Sequence, residues 1–461
     1  MRLVLAALAA LTALRLILAA RLPVSPDEAY YFLWSQHLQA GYFDHPPMVA
    51  YWIRAGTALF GNTPLGIRCL GPLSAALGSL LLADAGERMF PHRQAGLIAA
   101  ALLNATLMVG AGAVLMTPDT PLLFFWTAGL AALARLLTSR EPRWWLAVGL
   151  CAGGALLSKY TALLFIAAVF IWLITSAEGR AQLRAPWPWI GVVLAFAVFA
   201  PDIAWNAAHG WASYLKQGGR VTRFDAARSL QFLGELLAGQ VALATPIIAA
   251  LCGAGLWRLR HAPSAAGQLL IWLTVVPGVV FLEHVVSGRV QPNWVAILYP
   301  SACLAAASLP MALLRRWLKP ALALGFGLSA LAYAQVLAAP LPLPTRADPT
   351  ALQLAGWREF AEAAAASHPA FITSDEYATA AELAYYGPRD VPVAGLAPRW
   401  RYFADPPAVV AGETGILVTR RYGIHCDQIG SVTRARAGHA IMRYRLCRLV
   451  AHASGVLLPR P

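Results

Sequence analysis

Charge is scarce in this sequence. Only 13% of its 461 residues are Asp, Glu, Lys or Arg, against about 25% in an ordinary soluble domain. With 59% hydrophobic residues, this excludes a globular enzyme held by a single anchor and implies a chain that crosses a membrane many times. Lysine is scarcer still: Lys159, Lys216 and Lys319 are the only three, and arginine supplies the remaining positive charge. The net charge of +14 does not point to nucleic acid, because the basic residues fall at the ends of apolar segments and not on one surface. Cysteine is sparse and forms no CxxC or metal-ligand spacing. Cys69, Cys151, Cys252 and Cys303 lie in apolar runs as small packing residues. Cys426 and Cys447 fall in a polar tail, where a disulfide requires that the tail lie outside the cytoplasm. No Walker, GxGxxG, HExxH or GxSxG motif is present, nor an internal repeat.

What the sequence has in abundance is apolar length. A spanning helix needs roughly 20 mostly apolar residues, and eleven segments qualify as candidates: 3–20, 66–83, 94–115, 119–137, 144–158, 160–175, 187–202, 240–257, 267–286, 292–310 and 320–340. The first is longer than a signal-peptide core of about 7–15 residues and reads as a retained helix. The expectation is a polytopic α-helical membrane protein with about 11 (11–13) transmembrane helices. Arginine orients it. With the N-terminus in the cytoplasm, alternate loops hold Arg88, His92 and Arg93; Arg135, Arg140 and Arg143; Arg180 and Arg184; Arg258 and Arg260; and Arg315, Arg316 and Lys319. Every short cytoplasmic loop is then basic, as the positive-inside bias requires. The other side receives a first outer loop at 21–65 and a longer one at 203–239. The membrane domain is expected over 1–344. The tail, 345–461, reads as a small α/β domain on the periplasmic side. It has an amphipathic helix from Gly356, a strand at Ala370–Thr373, a helix from Glu376 to Tyr386, and strands at Gly415–Thr419 and Ala440–Leu446.

Beside this apolar sequence sits an acidic stretch, Ser25-Pro26-Asp27-Glu28-Ala29-Tyr30-Tyr31, followed by Gly41-Tyr42-Phe43-Asp44-His45-Pro46-Pro47-Met48. An ionisable residue in hydrocarbon costs roughly 2.5–3.5 kcal/mol on insertion scales, so three carboxylates beside the bilayer invite a functional reading. Pro26 followed by two acids is also an ordinary helix start, and both readings stand at this level. Adjacent helical residues point about 100° apart, so Asp27 and Glu28 can serve different ends, one facing a site and the other pairing with an arginine. Asp44 and His45 are aimed by the two prolines that follow. A divalent metal is open at this point, though Asp-His alone is no recognisable ligand set; no cofactor is required. Asp119, in Met116-Thr117-Pro118-Asp119-Thr120-Pro121, is placed to cap a helix or face a polar cavity. Lys159 interrupts an apolar stretch, either reaching to the surface or offering a cation to a phosphate. The 203–239 loop mixes Lys216, Arg220, Arg223 and Arg228 with Trp205, Trp211 and Tyr214, and Arg289 is a further outer cation. Such a mixture suits an anionic lipid head group.

The motifs Ser25–Tyr31, Tyr42–Met48, Thr117-Pro118-Asp119-Thr120-Pro121, Leu157-Ser158-Lys159-Tyr160 and Gln291-Pro292-Asn293-Trp294, in this order, resemble the bacterial membrane glycosyltransferases related to protein O-mannosyltransferases and to the lipid A aminoarabinose transferase. The resemblance covers roughly residues 1–310. It implies a GT-C fold with its site at the outer face of the inner membrane. It also implies a polyprenyl-phosphate sugar donor, inverting transfer, and a lipid A, glycan, lipid or protein acceptor. By position Asp27 matches the family's catalytic aspartate, and Glu28 and Asp44 are the accompanying acids. Lys159 matches a lysine attributed to the donor phosphate, Arg223 a basic residue of the later outer loop, and His45, Asp119 and Arg289 join them as substrate-binding candidates. Aminoarabinose transferases have Glu followed by Lys where this chain has Asp44-His45, which speaks against an aminoarabinose donor. The rival from another class is a transporter or flippase of lipid-linked sugars. It would explain the outer charges, but the sequence lacks the paired broken helices and repeats of such proteins.

Overall fold

The structure is a computed structural model that describes residues 2–91, 94–218, 225–345, 347–403, 411–451 and 455–461. Among these, six helices are long and apolar enough to cross a membrane: Arg2–Arg21 (α1), Pro64–Met89, Asp119–Ser139, Trp187–Ala208, Ala265–His284 and Met311–Ala338. Three further pairs pass only together, because each is bent: Ala95–Ala105 with Leu107–Val114 by 72°, Tyr160–Thr175 with Ala177–Leu183 by 103°, and Ala226–Ala244 with Pro246–His261 by 101°. The count is therefore six, or nine with each bent pair as one span, and not the eleven read from apolar length. Two of the eleven segments fall short of the required length as helices. Trp144–Ser158 has 15 residues, and 292–310 is divided into a 3-10 turn, Pro292–Leu298, and a short helix, Tyr299–Ala307.

The bends have local causes. Thr106 and Ser176 leave the helical region and cap the following helix, accepting from Val109 N (3.2 Å) and Gly179 N (2.9 Å). Thr245 precedes Pro246, whose ring disfavours a helical residue before it. The region expected as an outer loop at 203–239 is largely helical: Trp187–Ala208 runs into it, and Ala212–Gly218 and Ala226–Ala244 follow.

The chain divides into two compact units, one of Met1–Arg15, Asp44–Met48 and Gly71–Leu331, the other of Leu16–Phe43, Val49–Leu70 and Ala332–Pro461. The first has one continuous apolar core that includes Trp126, Leu130, Leu133, Phe165 and Trp172. Its helices approach closely through small residues: a Cβ on Gly149 would lie 2.3 Å from the Gly191 carbonyl oxygen, so the Trp144–Ser158 and Trp187–Ala208 helices pack backbone to backbone. Buried Arg15 is held by Asn104 Oδ1 (2.8 Å) and the Val109 carbonyl (3.2 Å).

The second unit joins the tail to the first loop, which forms helices Pro26–Gln36 (α2) and Met48–Phe60 (α3), the latter beginning in the first unit. Its sheet runs β1-β3-β5-β4, with β1 (Ile372–Ser374) parallel to β3 (Thr414–Thr419), and with β3 and β4 (Asp427–Arg436) each antiparallel to β5 (His439–Val450). A second small sheet pairs β2 (Ala394–Gly395) with β6 (Val456–Leu457). Cys426 and Cys447 are joined in a disulfide. Arg436 bridges Asp348 (3.2 Å) and the Gln335 and Val336 carbonyls at the end of Met311–Ala338, a cation on the negative end of the last long helix.

Candidate active site

The residues singled out in the sequence form three charged centres. In the second unit, Ser25 caps α2: its hydroxyl receives Glu28 N (3.4 Å), and Glu28 Oε2 receives Ser25 N (3.0 Å). Glu28 is then gripped by Arg68, with Nε to Oε1 at 2.6 Å and Nη2 to Oε2 at 2.5 Å. Both side chains are fully buried. The same guanidinium donates to the carbonyls of Leu22 (2.7 Å) and Pro23 (2.6 Å). Glu28, expected among the catalytic acids, is thus built into the scaffold: its two oxygens are committed to Arg68 and the helix cap. Asp27, one residue earlier, turns outward and is exposed. It accepts from Tyr377 Oη at 3.0 Å. Arg399 lies 4.0 Å from the centre of the Tyr377 ring and 5.6 Å from that of Tyr30. Burial pushes the Tyr30 hydroxyl up to about 12, against the pull of Arg399.

The other two centres belong to the first unit. Asp44 is buried and ion-paired with Lys216, and its carbonyl receives Gln217 Nε2 at 2.7 Å. His45 follows it, half-buried. Separately, Lys159 Nζ meets Asp119 Oδ1 at 2.7 Å, Asn293 Nδ2 meets Asp119 Oδ2 at 2.7 Å, and the ammonium lies 5.4 Å from the centre of the Trp294 ring. Lys159 stands where the Trp144–Ser158 helix ends in extended backbone, which turns its side chain away from the helix axis. Arg289 is elsewhere, paired with Glu235 at 2.7 Å and more than half exposed. Arg223 lies outside the described residues. Among the described residues no three His, Cys, Asp or Glu side chains group as metal ligands.

Two features escaped the sequence reading. Arg68 is hidden inside an apolar segment; a lone arginine there was the available signal. Asp202 is buried in the Trp187–Ala208 helix and receives Tyr214 Oη (3.1 Å), Asn206 Nδ2 (3.2 Å) and Tyr160 Oη (3.4 Å). An acid at the end of a spanning segment is the signal that marks Asp202 in the sequence.

Residues 44–205 match the family described as dolichyl-phosphate-mannose-protein mannosyltransferase. Over 275 residues the chain is 29% identical to the lipid A galacturonosyltransferase RgtD of Rhizobium johnstonii, a likeness that covers 59% of this chain and 58% of that protein. The chain thus spans less than two thirds of that relative's length. ArnT from Cupriavidus metallidurans in the apo state superposes with a TM-score of 0.63 at 17% identity, over 99% of this chain and 98% of that one. The same protein bound to undecaprenyl phosphate gives 0.62 at 16% identity, over 99% of each chain. Identity this low speaks for fold alone, but the fold agrees from end to end. The chain is a polytopic helical membrane protein with the fold of ArnT, and residues 44–205 of it match the protein mannosyltransferase family.

Proposed function

We propose that this protein is an inverting glycosyltransferase. In this reading it moves a sugar from a polyprenyl-phosphate donor to an envelope acceptor at the outer face of the bacterial inner membrane. The observation that carries the proposal is the division of labour between Asp27 and Glu28: Arg68 fixes the second, and the first is presented outward from a rigid helix start. A sugar hydroxyl has a pKa far above neutral, so a carboxylate accepts its proton only as the new C–O bond forms. Asp27 is assigned that role. The departing lipid phosphate gains charge, and Lys159 is assigned to it. Asp119 engages one of the three ammonium donors, which leaves donors for phosphate oxygens. Asp44, His45, Arg223 and Arg289 are kept as substrate-binding candidates, with Lys216 added through its pairing with Asp44.

The likeness to ArnT, solved with undecaprenyl phosphate, supports the donor class. The likeness to a lipid A galacturonosyltransferase supports lipid A among the acceptors. The Cys426–Cys447 disulfide supports a periplasmic tail, since disulfides persist in oxidising compartments. The test is mass spectrometry of envelope glycolipids from cells with and without the protein. A species heavier by one sugar residue only when the protein is present identifies both sugar and acceptor. Identical glycolipid profiles, together with translocation of a lipid-linked sugar in reconstituted vesicles, would replace this reading with the transporter.

A further inference from the structure

Asp202 is a buried acid that the proposed chemistry leaves unused. It lies on the Trp187–Ala208 helix of the first unit, fully buried, where a carboxylate is costly unless hydrogen bonds surround it. They come from Tyr214 Oη (3.1 Å), Asn206 Nδ2 (3.2 Å) and Tyr160 Oη (3.4 Å). Two of these donors sit on segments that carry lysines. Tyr160 follows Lys159 directly, just past the extended residue that ends the Trp144–Ser158 helix. Tyr214 belongs to the short helix Ala212–Gly218, which also carries Lys216 and Gln217. On the same short helix, Ser213 Oγ lies 2.7 Å from Tyr160 Oη, and Ser213 N donates to Asn206 Oδ1 (3.2 Å). The short helix is thus clasped to the long one through Asp202, Asn206 and Tyr160. Its next residues reach Asp44: Lys216 as an ion pair, and Gln217 Nε2 on the carbonyl at 2.7 Å. The chain has only three lysines, and two of them adjoin tyrosines held by this one carboxylate. The corner between the two helices is Gly210-Trp211, with φ of 63° and 60°. Glycine takes this left-handed region freely and a bulky residue rarely does, so such a corner persists only where surrounding contacts over-determine it. Those contacts include Trp211 N on the Asn206 carbonyl at 2.7 Å and the hydrogen bonds to Asp202.

We propose that Asp202 is a positioning residue: through Tyr160 and Tyr214 it sets Lys159 and Lys216, the two ammonium groups that engage the phosphate of the lipid-linked donor. The proposal rests on the glycosyltransferase reading and adds to it a second phosphate cation and the residue that places both. The test uses the full-length protein in nanodiscs with undecaprenyl phosphate as the probe. Asp202→Ala weakens binding at least tenfold. Lys216→Ala weakens it too, and the variant combining both changes binds no more weakly than the poorer of the two, because the first change already displaces the ammonium that the second removes. Tyr160→Phe with Tyr214→Phe keeps both rings and removes only the hydroxyls. It reproduces the loss of Asp202→Ala and carries the test if the alanine variant fails to fold. Amide hydrogen exchange across Ala212–Gly218, measured without ligand, is faster in Asp202→Ala and in the double phenylalanine variant than in wild type. Wild-type affinity in those variants, or losses that multiply when Asp202→Ala and Lys216→Ala are combined, overturns the positioning role and leaves Asp202 a packing contact. Unchanged exchange across Ala212–Gly218 overturns the clasp. A failure of the donor reading shows in the wild type, as no binding of undecaprenyl phosphate, and a failure of this one shows in the variants.

Discussion

Asp27 and Glu28 are neighbours in sequence with opposite surroundings, and the difference makes their substitutions separable. Asp27 is exposed, and a surface change of this kind stays within about 0.5 kcal/mol of wild-type stability. Asp27→Asn is therefore expected to abolish transfer with an unchanged melting temperature; near-normal turnover by the folded variant rejects Asp27 as the base. Glu28→Gln breaks a fully buried pair and strands the Arg68 charge. That costs about 3–5 kcal/mol, so its expected signature is a lower melting temperature, and a variant as stable as wild type rejects the scaffold role. Lys159→Ala is the third substitution. A hydrogen bond to a charged group is worth about 1.5–3 kcal/mol, so losing the ammonium should weaken binding of a polyprenyl-phosphate sugar by tenfold or more. Titration of the donor against purified protein checks this, and unchanged affinity removes Lys159 from the phosphate site.

The helix Tyr377–Tyr386 packs on α2 through Tyr30 with Tyr377 and Phe32 with Tyr385. It carries a buried acid, Glu382, whose two oxygens have no hydrogen-bond partner among the described residues. Burial pushes this carboxyl well above the usual range. Glu28 and Asp27 push the same way, and Arg434 and Arg68 oppose. The native state therefore holds a proton that the unfolded chain releases near pH 4.3. Stability is full below that pH and is lost as pH rises towards the folded pKa. Glu382→Gln cannot titrate. Thermal unfolding in detergent at pH 5 and pH 8 should show wild type losing stability between the two and the glutamine variant holding level; parallel behaviour of both rejects a protonated Glu382. Elements of this kind were partly legible in the sequence. The tail helix expected from Glu376 to Tyr386 is Tyr377–Tyr386, and three strands fall within a few residues of where alternation placed them. Strand β4 was missed because only Arg434 of Asp427–Arg436 is buried and its register shifts twice, so no clean alternation marks it. The helices within 203–239 were missed because polar and basic residues read as a loop. The separate surroundings of Asp27 and Glu28 follow from helical geometry, but the identity of the arginine does not. Arg68 lies 40 residues from Glu28, and Asn293 lies 174 from Asp119; only the fold brings such pairs together.

Across the whole molecule, the number of crossings decides on which side each charged loop falls. Take nine spans, with each bent pair crossing once and the N-terminus inside. The Trp144–Ser158 and Tyr299–Ala307 helices then do not cross, and Arg180 and Arg184, and also Arg258 and Arg260, land outside. That opposes the bias of short loops for cytoplasmic Lys and Arg. Let both segments cross, and all of these return inside together with Arg140, Arg143, Arg315 and Arg316. The 15-residue helix Trp144–Ser158 extends only about 22 Å, but a short span is accommodated by local thinning of the bilayer at fractions of a kcal/mol per Å. The nine-residue helix Tyr299–Ala307 is far shorter, and two positions separate eleven crossings from nine. Glu178, in the short helix Ala177–Leu183, and Ala262, just past Pro246–His261, are exposed residues that eleven spans place in the cytoplasm and nine place outside. Ala363, exposed on the tail helix Trp357–Ala365, lies outside in both. A membrane-impermeant maleimide applied to spheroplasts should label Ala363→Cys at once. Labelling of Glu178→Cys and Ala262→Cys only after lysis would select eleven spans, with the parent protein giving the background of its native cysteines. Labelling of Glu178→Cys and Ala262→Cys in intact spheroplasts would select nine spans and set those arginines on the outer face.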